Sequence, residues 1–522
     1  MVTLSGCATV GQRTAVSRPP KLVVAIAVDQ FSADLFDEYQ PRFTGGLARL
    51  ARRGTLFHNG YQAHAATETC PGHSTILTGD HPAHTGIVAN NFYDPAGKRW
   101  PAAVYCAEDE DRGTAANYVV SPRHLKVPVL GERMKRLWPE SRSVAIAGKD
   151  RAAVMMGGHT PDIRWYYRDG RFQTDLDAKP DDDVMAANAK LKALVASHAP
   201  PLLVPADCLA RAKGVATAPK GPTVGAGRFE HDPSEQLFRA SPALDEAVLN
   251  LAGDEIDRDQ LGRHASPDLL AISLSATDYV GHAFGTEGQE MCIQLHRLDA
   301  ILGAFLDGLD RRGIDYALVL TADHGGTDIP ERLSDGKRYG FPSGAIGEAI
   351  KAQLGLKANP LVGGGDVYLD PALDPATRDR VVALALAAYR ADPNVAAVFT
   401  RAELAAYPIP TGDPVNWRLE DRARASFDAK VSGDLTVLLK RHVVPIPKPA
   451  VGYVATHGSA WDNDRRVPIL FYRPRARAAE RRDDIMTVDI MPTLAAWLGL
   501  PVEGAIDGHC VAGAAGAVCP GR

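Results

Sequence analysis

Three short apolar runs lie far apart along the chain, and each leads into an aspartate. Leu22-Val23-Val24-Ala25-Ile26-Ala27-Val28 stops at Asp29, Leu269 to Leu274 is followed shortly by Asp278, and Ala317-Leu318-Val319-Leu320-Thr321 is followed by Asp323. Continuous apolar runs of this length suit central parallel strands covered on both faces by helices. In an open α/β sheet the loops past the carboxyl ends of the strands converge on one crevice. The sequence therefore predicts that Asp29, Asp278 and Asp323 meet in space.

The rest of the chain supplies the layers such a sheet needs. Met291, Leu295, Leu298, Leu302, Phe305 and Leu309 recur at steps of four and three, the stripe of an amphipathic helix between two of the strands. Ile469 to Tyr472 reads as a further strand, and Ile490 to Leu498 as a helix started near Pro492. The expected fold class is α/β, a central mostly parallel sheet flanked by helices, assembled from distant segments. With 522 residues, about three domains, or one large domain with insertions, are allowed. Residues 1–20 read as a leader or lipoprotein-like tail. Catalytic core segments are expected at 21–151, 266–334 and 451–522, the last including the C-terminal tail. Residues 152–265, with scattered aromatics (Trp165, Tyr166, Tyr167) and the run Asp181-Asp182-Asp183, read as an inserted cap. Residues 335–450, with a helix-like Arg380 to Tyr389 and a strand-like Val395 to Thr400, read as a second insertion.

Several function classes are disfavoured. Net charge is −5 with no long basic run or basic stripe, so nucleic acid binding is not suggested. No stretch of about 18 consecutive apolar residues occurs, so no transmembrane helix is expected. Leu4-Ser5-Gly6-Cys7 resembles the bacterial lipobox, in which the Cys is lipidated, yet no charged and apolar signal region precedes it. Either the start lies inside a longer signal peptide and Cys7 carries a lipid anchor, or the tetrapeptide is a coincidence. Among seven cysteines there is no CxxC, which argues against a zinc ribbon. Without Cys7 six remain, an even number compatible with an oxidising periplasm, and Cys510 and Cys519 could pair; unpaired thiols are the alternative.

Around the three aspartates the spacing sharpens into Asp278-x-x-x-His282, Asp323-His324 and Thr456-His457-Gly458. Mixed carboxylate and imidazole ligands without clustered thiolates suit zinc with open positions. Six such ligands are what two cations about 3.5–4 Å apart need to clamp attacking and leaving oxygens. The nucleophile is sought in Ala65 to Gly79, where a polar loop leads into a helix. Thr69 would stand at its N-terminus, either as a plain N-cap or facing an anion.

Taken together, Ala27-Val28-Asp29-Gln30, Thr69-Cys70-Pro71-Gly72-His73, Gly86 to Asn91, Gly148-Lys149-Asp150-Arg151, Asp278-x-x-x-His282, Ala322-Asp323-His324-Gly325 and Thr456-His457-Gly458 resemble the alkaline phosphatase superfamily. They closely resemble its bacterial phosphate-irrepressible members with a Thr nucleophile. The resemblance implies an alkaline-phosphatase-like sandwich with inserted caps and two Zn2+ per chain. One zinc would be held by Asp278, His282 and His457, the other by Asp29, Asp323, His324 and the Thr69 oxygen. Thr69 would attack phosphorus to give a phosphothreonine. Asn90, Lys149 and Arg151 resemble the family's contacts to nonbridging phosphate oxygens, and two cations there favour monoesters over diesters.

Departures from other relatives narrow the reading. Cys70 is not followed by the sulfatase pattern Cys-x-Pro-x-Arg, and no extra acidic cluster supports a third, magnesium, site. The expectation is a periplasmic or secreted, zinc-dependent alkaline phosphatase acting on small phosphate monoesters of broad range. A phosphodiesterase or nucleotide pyrophosphatase with the same Thr69 is the near rival, and a noncatalytic zinc-binding protein the remote one.

Overall fold

A computed structural model describes residues 18–520 apart from 95, 97 and 98. The Cys7 tetrapeptide lies outside the described residues. The central sheet has ten strands. In chain order they are β1 (Leu22–Val28), β2 (Thr55–Tyr61), β3 (Ser143–Ala147), β4 (Ile163–Arg168), β5 (Arg171–Gln173), β6 (Asp268–Leu274), β7 (Tyr316–Thr321), β8 (Arg466–Tyr472), β9 (Ala479–Arg481) and β10 (Ile485–Met486). Their spatial order is β9-β2-β8-β7-β1-β6-β3-β4-β5, with β10 also on β2.

The middle of the sheet, β7-β1-β6-β3-β4, is parallel. β8 runs antiparallel to both β7 and β2. The three aliphatic runs are wholly buried strands, as expected of strands with helices on both faces. Register fixes what happens at their ends. Ala27 lies opposite both Ser273 and Thr321, and Ser273 opposite Ala147, so β1, β6, β7 and β3 finish level with one another. Whatever follows those four strands is delivered to one edge.

The flanking helices that matter to that edge are α1 (Thr69–Thr78), α2 (Asp150–Gly157), α3 (Pro242–Arg258), α4 (Ala276–Phe284), α5 (Gln289–Arg311) and α6 (Ile490–Leu498). The stripe from Met291 to Leu309 is the buried face of α5. From the same helix Asp299, almost fully buried, accepts hydrogen bonds from the backbone N–H groups of Thr44, Gly45, Leu47 and Ala48 at 2.6–3.3 Å. It caps the Gly46–Arg53 helix, whose own N-cap, Gly45, has no side chain to do so.

Two regions read as insertions fold differently from each other. Within 152–265, β4 and β5 extend the central sheet and α3 packs on it, so Trp165, Tyr166 and Tyr167 are buried on a strand. The sheet thus continues past residue 151, and the aromatics that look irregular in sequence lie on a buried strand of it, whose Trp165 Nε1 donates to Glu255 of α3 at 2.9 Å. Residues 361–439 instead form a separate four-stranded antiparallel sheet, in the order Leu361–Gly363, Asp366–Leu369, Leu435–Leu439, Val395–Thr400. Helices Ser343–Leu354 and Pro375–Ala391 close its own apolar core around Val367, Val381 and Tyr389. Among the described residues no helix is long and apolar enough to cross a membrane.

Replacing Asp299 by Ala would strand four backbone donors in a buried place, so Asp299→Ala is expected to cost about 3 kcal/mol of stability in urea unfolding. A loss under about 0.5 kcal/mol would contradict the capping role.

Candidate active site

Each strand end contributes a polar residue to the shared edge. β1 ends at Val28, and Asp29 follows with its N–H bonded to Leu274 O at 2.9 Å. The next residue, Gln30, has φ +59°, a left-handed conformation unusual for a residue with a side chain. Two glycines leave it room: a Cβ on Gly281 or Gly326 would lie 2.4 or 2.1 Å from the Gln30 amide. The turn aims Gln30 N–H at Asp323 Oδ1, 3.0 Å away. With its amide oriented to donate, Gln30 Nε2 is 3.0 Å from Asp278 Oδ1. One strained residue thus joins two of the three aspartates.

Asp278 sits in the first turn of α4 with His282 one turn further on, on the same face. Asp323 and His324 follow β7, and His457 lies in a loop beside Gly458, whose φ of +100° favours glycine. Asp278 Oδ1 is 3.3 Å from both His282 Nε2 and His457 Nε2. Asp323 Oδ2 is 3.1 Å from His324 Nε2, and the His324 and His457 rings stack at 3.6 Å, so the two groups adjoin.

The three imidazoles share one arrangement. His282 Nδ1 bonds Ala455 O, His324 Nδ1 bonds Gly325 O and His457 Nδ1 bonds Thr67 O, all at 2.8 Å. A backbone carbonyl on Nδ1 fixes the tautomer and frees Nε2 as a ligand. His73, on α1, behaves otherwise. Its Nδ1 bonds Thr69 O at 2.9 Å and its Nε2 bonds Ser273 Oγ at 3.1 Å, while the ring lies between Asp323 (3.3 Å) and Asp29 (3.4 Å). With both nitrogens engaged it braces the carboxylates. Burial opposes its charge, but the two carboxylates win and push it up to about 10.

Charge at the site is out of balance. Asp29, Asp278 and Asp323 are fully buried, and burial alone would raise their pKa values. Lys149 and then His73 at Asp29, His282 and then Lys149 at Asp278, and His324 and then His73 at Asp323 instead hold all three below the ordinary carboxylate range. Lys149 Nζ lies 3.0 Å from Asp29 Oδ2 and 2.5 Å from Asp278 Oδ2, and these two carboxylates raise its pKa against burial. Burial, with His457 nearby, pushes His282 down to about 4, the neutral form that ligates metal. Asp323 Oδ2 and His324 Nε2 are buried without a hydrogen-bond partner. Buried unpaired acceptors are costly, and divalent cations would satisfy them. Two of the side-chain groups that could hold a metal lie here, Asp278–His282–His457 and Asp29–His73–Asp323, each with ligand atoms within 4.8 Å of one another. His324 adjoins the second.

Thr69 is the first residue of α1 and is fully buried. Arg151 Nη2 reaches its Oγ1 at 3.3 Å, and Arg151 Nε is buried without a partner. Asn90 is pinned from three sides: its Oδ1 accepts from Cys70 N–H (2.8 Å), its O from Cys106 N–H (2.9 Å), and its N–H donates to Glu68 Oε2 (2.6 Å). The side-chain NH2 is left as donor. The Cys70–Cys106 disulfide links the same two segments. Tyr105, beside Cys106, donates to Asp150 at 2.6 Å and accepts from Arg151 at 3.4 Å. All ten sequence-predicted site residues therefore lie in one connected region. Gln30, His73 and Glu68, inside or beside a quoted motif, join them, as do Ser273 within the second apolar run and Tyr105 outside every motif; none has a spacing that announces its role.

A parallel sheet with acid and imidazole ligands at level strand ends, and a buried hydroxyl at a helix N-terminus beside a guanidinium, is the frame of a metal-dependent phosphoryl-transfer site. The family model for type I phosphodiesterase / nucleotide pyrophosphatase matches residues 23–459, and the chain belongs to that family. Alkaline phosphatase PhoK of a Sphingomonas species is 48% identical over 516 residues, covering 96% of this chain and 92% of the relative. Alkaline phosphatase PhoD of Zymomonas mobilis is 45% identical over 511 residues, covering 94% and 88%. The crystal structure of alkaline phosphatase PafA superposes with a TM-score of 0.80 at 26% identity, covering 93% of this chain and 97% of that one. The resemblance read from the motifs and the α/β fold it implied both hold.

Gly72 of α1 is where the helix touches the β7 end most closely: a Cβ there would lie 2.0 Å from Asp323 O. Gly72→Ala is expected to push α1 away from Asp323, lowering stability by about 1–3 kcal/mol and cutting kcat for a phosphate ester well below the parent at temperatures where both are folded. Unchanged kcat would show that this contact does not set the site.

Proposed function

We infer that this chain is an alkaline phosphatase, hydrolysing phosphate monoesters to alcohol and inorganic phosphate with Thr69 as nucleophile and two Zn2+ as cofactors. The observation that carries the reading is Arg151 Nη2 within 3.3 Å of Thr69 Oγ1, at the N-terminus of α1 and beside two acid–imidazole clusters. One cation fits Asp278, His282 and His457; the other fits Asp29, Asp323 and His324, with Thr69 Oγ1. Bound there, the metals supply Lewis acidity that favours the Thr69 alkoxide and offsets charge on the leaving oxygen.

Thr69 Oγ1 attacks phosphorus, the ester P–O bond breaks, and the alcohol departs, leaving phosphothreonine; water then attacks phosphorus and returns the Thr69 hydroxyl. The Asn90 amide and the Arg151 guanidinium hold nonbridging oxygens, with the α1 N-terminus adding its dipole. Lys149 spans Asp29 and Asp278; once cations neutralise those carboxylates, its ammonium is free to meet phosphate.

The diesterase reading draws on the matched family. Lys149 and Arg151 favour the monoesterase, because a monoester carries one more charged oxygen for them to bind. Small phosphate monoesters of broad range are the proposed substrates. Export to the periplasm or outside the cell is also proposed: the pairs Cys70–Cys106, Cys208–Cys292 and Cys510–Cys519 suit an oxidising compartment. A signal peptide and a lipid on Cys7 belong to the same proposal.

With an aryl phosphate, Thr69→Ala is expected to lower kcat about a thousandfold or more, and chelation followed by zinc is expected to abolish and restore parent activity. Activity surviving both treatments would overturn the nucleophile and the metals together. Arg151→Ala is expected to reduce kcat/KM for the monoester about tenfold more than for its methyl diester; equal losses would remove its role in selecting monoesters.

A further inference from the structure

A cavity of about 440 Å³ opens between the catalytic core and the four-stranded sheet. Its core wall contains Glu68, which precedes Thr69; Ala89 and Asn91, which flank Asn90; and Gly458, which follows His457. Its wall is therefore made of the chain neighbours of Thr69, Asn90 and His457, which belong to the proposed phosphate and metal sites. An alcohol still attached to phosphorus has this space beside it.

The opposite wall comes from the 335–450 region and is aromatic and acidic: Phe341, Tyr368, Phe427 and Asp366. Tyr93, also lining the cavity, packs on Tyr368 with ring centroids 5.2 Å apart. Asp366 accepts from Thr436 Oγ1 at 2.9 Å and Gly433 N–H at 3.4 Å, which leaves further lone pairs on its carboxylate. Glu68 uses one oxygen on Asn90 N–H. Among the described residues no Lys, Arg or His lines the space. Arg401, whose charge reaches Asp366, is already engaged by Asp434 and by the carbonyls of Ala429 and Ser432.

Two carboxylates and four aromatic rings with no cation among them form a place that attracts an ammonium group, through charge and through ring faces. The same walls repel a second anion. We propose that this cavity receives the leaving alcohol and selects phosphate monoesters whose alcohol carries an ammonium group over those whose alcohol carries a carboxylate. This rests on the monoesterase reading and specifies its substrate class.

The test compares kcat/KM of the full-length, metal-loaded enzyme for O-phosphoethanolamine, ethyl phosphate and phosphoglycolate, which differ chiefly in the charge of the alcohol. The ammonium ester is expected to exceed ethyl phosphate about tenfold, and the carboxylate ester to fall about tenfold below it. Asp366→Asn and, separately, Phe341→Ala should each bring the ammonium-to-ethyl ratio below about threefold, with Tm recorded for both. Equal turnover of the three esters, or a ratio that survives both substitutions, would overturn the subsite. Absence of turnover of all three esters by the parent would remove the phosphatase reading and this proposal with it, and is distinguished from the other failures because no ester is then hydrolysed.

Discussion

Three carboxylates buried together, just past β1 and β7 and in the first turn of α4, are the constraint around which the rest is arranged. Burying Asp29, Asp278 and Asp323 together is unfavourable unless cations offset them. The protein itself brings Lys149 between two of them and braces the third with His73. Three imidazoles fixed by backbone carbonyls then turn their Nε2 atoms inward. A site of this kind is poorly satisfied without metal and well matched to it, so folding and chemistry depend on the same imbalance.

The sheet makes this possible because its register leaves little freedom. β1, β6, β7 and β3 end level, so residues from four distant stretches reach one edge without long loops. α1 is held against that edge by a glycine that allows near contact with Asp323. The segment from Asn90 to Cys106 is tied to the start of α1 by the Cys70–Cys106 disulfide and by the hydrogen bonds of Asn90 to Cys70 N–H and Glu68. Thr69, the Asn90 amide and the Arg151 guanidinium are thereby held close to one another, the preorganisation that their proposed roles would require.

Much of this was legible in the sequence. The aliphatic runs gave β1, β6 and β7 nearly to the residue, because a strand buried on both faces must be apolar throughout. The aspartates and histidines stood out because polar residues so close to such strands need a purpose. Gln30 and His73 did not, since their roles rest on partners from other segments: Asp278 and Asp323 for one, Asp29 and Ser273 for the other. β4 was hidden for a different reason. Its sequence, Ile163–Arg168, mixes aromatics with arginines, and only the cover supplied by α3 turns it into a sheet strand. The acid–aromatic cavity is likewise built from residues more than three hundred positions apart, with no motif to mark it.

The second sheet gives the 335–450 region a role beyond bulk. With the segments beside it, it presents aromatic and acidic side chains across from Glu68 at the start of α1, so on the proposed reading phosphate and alcohol would be bound by different parts of the chain. The core would set the reaction and the added sheet the choice of ester, an arrangement in which loops and insertions vary on a rigid frame.

Anomalous diffraction at the zinc absorption edge, from crystals grown with zinc and phosphate, addresses the central claim most directly. The account predicts two peaks about 3.5–4 Å apart, one among Asp278, His282 and His457 and the other among Asp29, Asp323 and His324. A single peak elsewhere, or Lys149 still spanning Asp29 and Asp278 with no metal between the carboxylates and imidazoles, would contradict it.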